Sequence, residues 1–553
     1  MTAEEKNISS SIPTPYAYIW KASHERANQP MDDGFVLKVL GGTIKHDIVN
    51  KWITFHGQIL NYTEEDQQNL MFSAPSSTGK SWIALEIAKF FPKEDVDKKG
   101  YVSKRAFFHR NSQLQTLDGK PLEKRSEYIT KLLEEWEDTH SRPDAPDFSD
   151  KSREAINARK TLARWKEERK AEYRKHRDWW DSAEKVYVLD LSKRIIIFKD
   201  TPDDQVLQPL RSLLSHDEKE LIVEITDKSA SGGNLTKRVK LIGYPTVVFL
   251  TAAFSPDEQE RTRVWLLSPD MSQDKLRDSL DLQAESLRDR AAYRNSLEVD
   301  IDRKALMCRI EMVKGAKIAQ INIRPLDMED LKAWFKGKGR RGFAPRDMRD
   351  FPRLVSMVKG HALFNLPQRE SSENGELYAQ KEDIDVVKER LGGVIEANRL
   401  GLPPYIYDWW KDTLRQLLKD CGDMGLSLGD FSKGYCRRFN TLLSNRSRKQ
   451  IIGALGESGL LEERTDPDDR RTTKLYVQGV GIEDEKNIYQ PEDPKKVEFV
   501  GEVLRERPWM TSEEMARALG VPVEEAENLL EALWRDNPGY VSRAPGGRWG
   551  WSE

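Results

Sequence analysis

Phe72-Ser-Ala-Pro-Ser-Ser-Thr-Gly-Lys-Ser-Trp82 is the stretch on which the reading of this chain turns. Ala74, Pro75, Ser76, Ser77, Thr78, Gly79, Lys80 and Ser81 spell A-x-x-x-x-G-K-S, the spacing of a P-loop with Ala in place of the first Gly. Small residues at this spacing let backbone N–H groups turn inward around a phosphate. The lysine reaches the β- and γ-phosphates as a point charge, and the hydroxyl after it can rest on Mg²⁺. Trp82-Ile-Ala-Leu-Glu-Ile-Ala-Lys-Phe-Phe follows with helical spacing and no breaker before Pro92, so a helix N-terminus is expected to face the phosphates. The bland alternative is an ordinary Gly-Lys turn. The expected ligand is ATP with Mg²⁺.

The chain has 553 residues, too many for one core, and 33% are charged against 38% hydrophobic. The net charge is only −3, so a nucleic-acid contact must come from local basic patches rather than a global field. Cys308, Cys421 and Cys436 are far apart with no C-x-x-C, which excludes a disulfide framework or a cysteine zinc site and suits a reducing cytoplasm. The N-terminus has no apolar leader, and no run is long and apolar enough to span a bilayer; a cytoplasmic protein without membrane contact is expected.

Residues 1–34 are polar with scattered Pro and read as a flexible N-terminal arm. Residues 35–40 and 48–55 have helical spacing, which suggests helices beside the nucleotide site. Residues 122–136 read as a helix. Residues 151–180 form a long charge-dense helix or helical hairpin, part of an insertion at about 110–183 that is either a solvated face or an arm for nucleic acid or a partner. Ile195-Ile-Ile-Phe198 has the signature of a buried parallel strand and ends in Lys199-Asp200-Thr-Pro-Asp-Asp204. In a P-loop fold the strand ending beside the phosphates carries the acid that holds Mg²⁺ through water, and Asp200 is the candidate. Alternatively Asp200, Asp203 and Asp204 make a turn and cap the helix expected at 205–214. Residues 220–227 and 236–243 alternate around a Gly-rich tip as a hairpin bearing Lys228, Lys237 and Arg238. Residues 244–251 then read as another buried strand ending at Thr251.

This order of parts resembles an AAA+ core, and the hairpin just before the last strand is similar to that of MCM-type helicases. The stretches Ala74–Ser81, Leu210-Arg-Ser-Leu-Leu-Ser-His-Asp217, Ile225-Thr-Asp-Lys-Ser229 and Asp257-Glu-Gln-Glu-Arg-Thr-Arg263 also resemble replication-associated ATPases of prokaryotic mobile elements. The resemblance spans about residues 35–480. It implies that Lys80 and Ser81 bind nucleotide and that Asp200 is the Walker B acid. It makes Thr251 the sensor of the attacking water, and Arg263 an arginine finger for a neighbouring copy with Arg261 as fallback. Lys228, Lys237 and Arg238 would face a central channel. It also implies a homo-oligomeric ring, a hexamer, and a primase or other replication protein as further partner. The departure is at Walker B: Lys199 intervenes, and no Glu follows Asp200. That leaves the water-activating base unassigned.

Residues 271–400 would form the helical lid. Met271–Leu297 is charged and helical, 299–325 alternates, and 346–364 looks like the lid helix with Arg349 and Arg353 as sensor-2 candidates or structural ion pairs. Residues 401–480 read as a winged helix. A helix at 444–458 carries Arg446, Arg448 and Lys449 at its start, and a wing around Asp-Pro-Asp-Asp, similar to that of MarR-type regulators, offers Arg470, Arg471 and Lys474. It contacts single-stranded or duplex DNA or docks protein. After a linker at 481–494, residues 495–553 read as a second, smaller winged helix with Thr511 and Glu514 as a capping box. The fold class expected is an α/β P-loop NTPase (AAA+) core, about 35–270, with a helical lid and two winged-helix domains. The function expected is an ATP-dependent DNA translocase or helicase in replication of a mobile element. The alternatives are a non-translocating ATP-gated DNA-binding regulator or helicase loader and, third, a defence-system ATPase.

Overall fold

The computed structural model describes residues 14–100, 102, 107, 113–116, 119–146, 148–200, 202, 204–227, 235–251, 261–316, 318–338, 345–372, 374–466, 471–478, 494–507, 509–536, 541–544 and 548–551. They fall into two compact units that meet in sequence at Trp409 and Trp410. Among them no helix is long and apolar enough to cross a membrane.

The first unit opens with helices α1 (Thr14–Ala27), α2 (Asp33–Gly41) and α3 (Ile48–Ile59). Strand β1 (Asn69–Ser73) leads through the P-loop into α4 (Lys80–Ile87). Then come β2 (Val96–Lys99) and β3 (Gln113–Thr116), and the antiparallel helices α5 (Arg125–Thr139) and α6 (Arg153–Ser182). Strands β4 (Lys185–Asp190) and β5 (Ile195–Phe198), helix α7 (Asp204–Leu214), hairpin strands β6 (Glu220–Asp227) and β7 (Leu235–Ile242), and strands β8 (Thr246–Thr251) and β9 (Trp265–Leu267) complete the β portion.

Five of these strands form one fully parallel sheet in the order β2-β5-β8-β1-β9. Its central strands are buried end to end because both faces are covered, which is why they read as unbroken apolar runs. The side chains alternate as a strand requires. Leu70, Phe72, Ile195, Ile197, Val248, Leu250, Trp265 and Leu267 face a helical layer, whereas Met71, Ile196, Phe198, Val247, Phe249 and Leu266 face α7 and a second sheet. That second sheet has the order β3-β4-β7-β6, with β4 and β7 parallel. The hairpin expected before the last core strand is therefore the rim of a separate four-stranded sheet.

Helices α8 (Gln273–Arg288), α9 (Arg290–Val299), α10 (Ile301–Gly315), α11 (Pro325–Gly337), α12 (Asp347–Phe364), α13 (Lys381–Arg399) and α14 (Pro404–Trp409) follow, with the strand pair β10 (Gln320–Asn322) and β11 (Glu376–Tyr378) between them. Three expectations change here. Residues 299–325 do not alternate as a strand. Asp300 caps α10 by accepting from the Arg303 N–H, and Ala305, Leu306, Arg309, Ile310 and Val313 are buried at helical spacing. Residues 14–27 are not a loose arm. Arg309, fully buried, donates to the carbonyls of Ala27 (2.7 Å), Gln29 (2.6 Å) and Phe364 (2.9 Å), so the orphan carbonyls at the end of α1 are satisfied by α10. The region 271–400 is not a separate lid body, because residues from Ala27 to Ile395 share one continuous apolar cluster.

In the second unit, a π-helical turn (Trp410–Leu414) enters helix α15 (Arg415–Cys421). Strand β12 (Leu426–Ser427), helices α16 (Leu428–Phe439) and α17 (Asn445–Glu457), and strands β13 (Leu461–Thr465) and β14 (Thr473–Val477) follow, sheet order β12-β14-β13. The layout then repeats: helix α18 (Pro494–Glu506), strand β15 (Met510–Thr511), helices α19 (Ser512–Leu519) and α20 (Val523–Asp536), and strands β16 (Val541–Ala544) and β17 (Arg548–Trp551), order β15-β17-β16. The strand-to-helix junctions match in chemistry too. Ser427 accepts from the Asp430 N–H, and Thr511 forms a full capping box with Glu514.

Candidate nucleotide site

The P-loop leaves β1 at Ser73 and enters α4 at Lys80. Ser77 (φ +65°) and Gly79 (φ +94°) take the left-handed conformation that lets the chain curl back on itself. No side chain caps α4, so its first N–H groups are orphan donors at the positive end of a helix dipole. A donor set of this kind suits phosphate oxygens. Lys80 is buried, and loss of solvent lowers its pKa. Its Nζ donates to the carbonyls of Ala74 (2.7 Å) and Pro75 (2.6 Å), and Thr78 Oγ1 donates to Pro75 O at 2.9 Å.

Sheet register brings the other candidates to the same edge. Thr251, buried at the end of β8, is the in-register partner of Ser73. Phe198 of β5 pairs with Phe249 of β8, and Asp200, exposed, lies two residues beyond. Asp200 follows the end of β5 and Thr251 ends β8, so both lie towards the edge of the sheet at which the P-loop leaves β1.

A polar circuit that no motif announces holds this edge. Ser268 Oγ donates to Ser73 O (2.9 Å), and Ser268 O accepts from Asn50 Nδ2 (2.7 Å). Asn50 Nδ2 also donates to Asp47 Oδ1 (2.9 Å), which accepts the Asp270 N–H (2.7 Å). Asp47 forms an ion pair with Lys275, and Lys275 Nζ donates to Thr78 O (3.3 Å). The circuit starts and ends on the P-loop. Asp47, Asn50, Ser268 and Lys275 are all buried. Trp82 Nε1 also donates to Thr43 O at 2.8 Å, tying α4 to the segment between α2 and α3. The only sequence cue to Lys275 is the Ser272 N-cap of α8, which accepts from the Lys275 N–H.

The arginine candidates gather elsewhere. Arg263 Nε donates to Ser215 Oγ at 2.6 Å, and Arg263 O lies 3.5 Å from Asn69 Nδ2, at the start of β1 rather than its end. Arg349 donates to Thr262 Oγ1 at 2.7 Å. Arg353 pairs with Asp350 and lies over the Trp265 ring, 5.1 Å from its centroid; Trp265 is the partner of Leu70. Arg261 donates to Gly401 O at 3.2 Å. Of the two readings of Arg349 and Arg353, the structure shows the structural ion pair for Arg353, and both lie with Arg261 and Arg263 towards the opposite edge from the P-loop, roughly four strand residues or about 13 Å away. Asp350, which also pairs with Arg346 at 3.0 Å, holds Arg353 there, and Thr262 accepts from Arg349.

Of the DNA candidates, Lys228 and Arg470 lie outside the described residues, as does the Lys237 side chain. Arg238 is exposed in mid-strand and pairs with Glu224 at 3.2 Å, so it stands on the flank of the second sheet. Lys474 is engaged within its own module, with Asp466 at 3.3 Å and Met424 O at 2.9 Å. Arg446 and Lys449 are exposed on the first turn of α17, Arg448 donates to Ser432 Oγ at 3.3 Å, and Arg471 is exposed beside β14.

No family model matches the sequence, and no curated protein does. Among solved structures, the chain is similar to the ORC1 protein of Aeropyrum pernix in complex with DNA, at 14% identity over 81% of this chain and 94% of that one, with a TM-score of 0.17.

Proposed function

We propose that the chain is an AAA+ ATPase that binds MgATP at Ala74–Ser81 and works on DNA as a translocase or helicase. The observation that carries the reading is the alignment of the P-loop, Thr251 and Asp200 along one edge of a parallel sheet. The orphan N–H groups of α4 take the phosphates, and Lys80 exchanges its two carbonyl contacts for phosphate oxygens. Ser81 directly, and Asp200 through water, would hold Mg²⁺, which would offset charge on the phosphoryl oxygens. The Thr251 hydroxyl orients the attacking water. Arg263 stands at the far edge, so it serves the site of a neighbouring copy; this requires a ring, for which a hexamer is the expected size. An arginine used in this way is worth about 10³–10⁵ in rate. The two helix–strand–helix–helix–hairpin modules are read as winged helices, the first meeting DNA through Arg446, Arg448 and Lys449 with Arg471 on its wing.

A second reading, an ATP-gated DNA-binding regulator or loader, is favoured by one feature. Thr201 and Pro202 follow Asp200, so the strand end supplies no second carboxylate to activate water. ATPase rates with and without single-stranded and duplex DNA, on wild type and Lys80→Ala in parallel, separate the two. DNA-stimulated turnover lost in the variant supports the motor. ATP binding without turnover in the presence of DNA overturns the motor and leaves the regulator.

A further inference from the structure

Three side chains from three separate helices converge in the core, away from the P-loop. They are Asp33 at the start of α2, His56 of α3 and His361 of α12. Each contributes one ligand-type atom, and the three atoms lie within 4.8 Å of one another.

The surroundings fix which atoms these are. His56 Nδ1 lies 3.0 Å from the Trp52 carbonyl, an acceptor only, so Nδ1 carries the proton and donates. The lone pair is then on Nε2, which is fully buried and has no hydrogen-bond partner. His361 Nδ1 lies 2.6 Å from Asp383 Oδ1 and donates to it in the same way. Its Nε2 is approached by a donor, Asn365 Nδ2, at 3.4 Å, and faces Asp33 Oδ1 at 3.4 Å. Nε2 of His56, Nε2 of His361 and a carboxylate oxygen of Asp33 therefore lie within 4.8 Å of one another inside the protein. Groups of this kind brought together in a buried site need a proton or a metal ion between them.

The supporting shell is that of a metal ligand set. A ligating histidine usually donates its other ring N–H to a carboxylate or a backbone carbonyl, and here one histidine does each. Arg369 clamps Asp383 with two hydrogen bonds, 2.9 and 2.7 Å, and the Gln380 N–H holds it with a third at 2.8 Å. Asp33 accepts from Trp52 Nε1 at 2.8 Å and pairs with Arg390 at 3.1 Å. None of the three ligands can swing away without breaking one of these contacts.

We propose that Asp33, His56 and His361 bind one divalent transition-metal ion, two imidazole nitrogens and one carboxylate oxygen being a donor set that zinc accepts. The ion ties α12, which carries Arg349 and Arg353, to α2 and α3, and α3 packs against the P-loop helix. The proposal is independent of the nucleotide reading.

The test uses the full chain purified without a histidine tag. Metal content by mass spectrometry is expected at about one zinc per chain. Extraction with a strong chelator is expected to lower Tm, and added Zn²⁺ to restore it. Asp383→Asn keeps all three ligands and removes only the carboxylate behind His361; its zinc affinity is expected to fall about 10–100-fold. Lys80→Ala is expected to keep its zinc, so failure of the ATPase reading leaves this result unaffected. The wild-type measurements need no variant that might fail to fold. No bound metal after incubation with Zn²⁺, with Tm unchanged by chelator, overturns the proposal and leaves a proton shared between His361 and Asp33.

Discussion

Ser73 and Thr251 are in-register partners on adjacent parallel strands, so the residue that begins the P-loop turn and the hydroxyl at the end of β8 are level across the sheet. Thr251 is buried, and valine has nearly its shape. Thr251→Val is expected to leave ATP affinity within about threefold of wild type and to slow single-turnover hydrolysis by about 10²-fold, the scale of losing one group that positions or deprotonates a reacting water. Filter binding and single-turnover kinetics check the two halves. A fall in affinity with unchanged turnover would show that Thr251 binds nucleotide rather than water.

The Asp47–Lys275 ion pair is buried on both sides, at 0% and 8% side-chain exposure. Removing one partner leaves the other charge uncompensated, so Lys275→Met is expected to cost about 3–5 kcal/mol. The double variant Asp47→Asn/Lys275→Met is expected to recover most of that loss. Urea unfolding of the single and double variants measures it, and additive losses would show that the pair is not coupled.

Lys51 is buried against the Ile44 carbonyl at 3.1 Å, and burial pushes its pKa down from 10.5 to about 8. The unfolded chain binds this proton more tightly than the folded one. The resulting cost is full below pH 8, shrinks as pH rises, and is gone above pH 10.5. Lys51→Met removes the cost, up to about 3 kcal/mol, and loses one hydrogen bond worth about 1 kcal/mol. The variant is expected to be about 2 kcal/mol more stable than wild type at pH 7, with the gain vanishing by pH 10. Denaturation at several pH values tests the slope; a pH-independent gain would mean that the ammonium is not the cause.

Arg446 and Lys449 are exposed on the first turn of α17. If that turn meets a DNA backbone, each substitution to Ala weakens binding evenly across sequences and reduces the salt slope of log K by about 1. Fluorescence anisotropy at several salt concentrations reads this. Unchanged affinity in the double variant would assign the module to protein docking.

What sequence made legible was local. β5 and β8 lie where unbroken apolar runs predict them, because a strand covered on both faces needs no polar side, whereas β1, just before the P-loop, is not among the strands expected. The charge-dense run gave α6 nearly to the residue, and α17 starts at its serine cap. What stayed hidden depends on partners distant in the chain. Lys275 meets Asp47 across more than two hundred residues, and nothing around either marks the other. Helix α10 is hidden within 299–325 because polar Arg309 sits among its buried positions, and only the carbonyls of Ala27, Gln29 and Phe364 explain it. The look of their helix leaves Arg349 and Arg353 between a nucleotide role and structural ion pairs, and only distant partners decide: Asp350 and Trp265 engage Arg353, and Thr262 engages Arg349.

The strands β4 and β7 are hydrogen-bonded neighbours running the same way, and each continues into one of two neighbours in the main sheet, β5 and β8. Only residues 191–194 separate β4 from β5, and only residues 243–245 separate β7 from β8. Upstream, β4 begins two residues after α6, a rod about 45 Å long at 1.5 Å per residue. The chain is thus built as a pair of coupled rails with a handle. The helical rod and the hairpin are therefore each joined, through one short link between the sheets, to a strand that runs towards the P-loop edge.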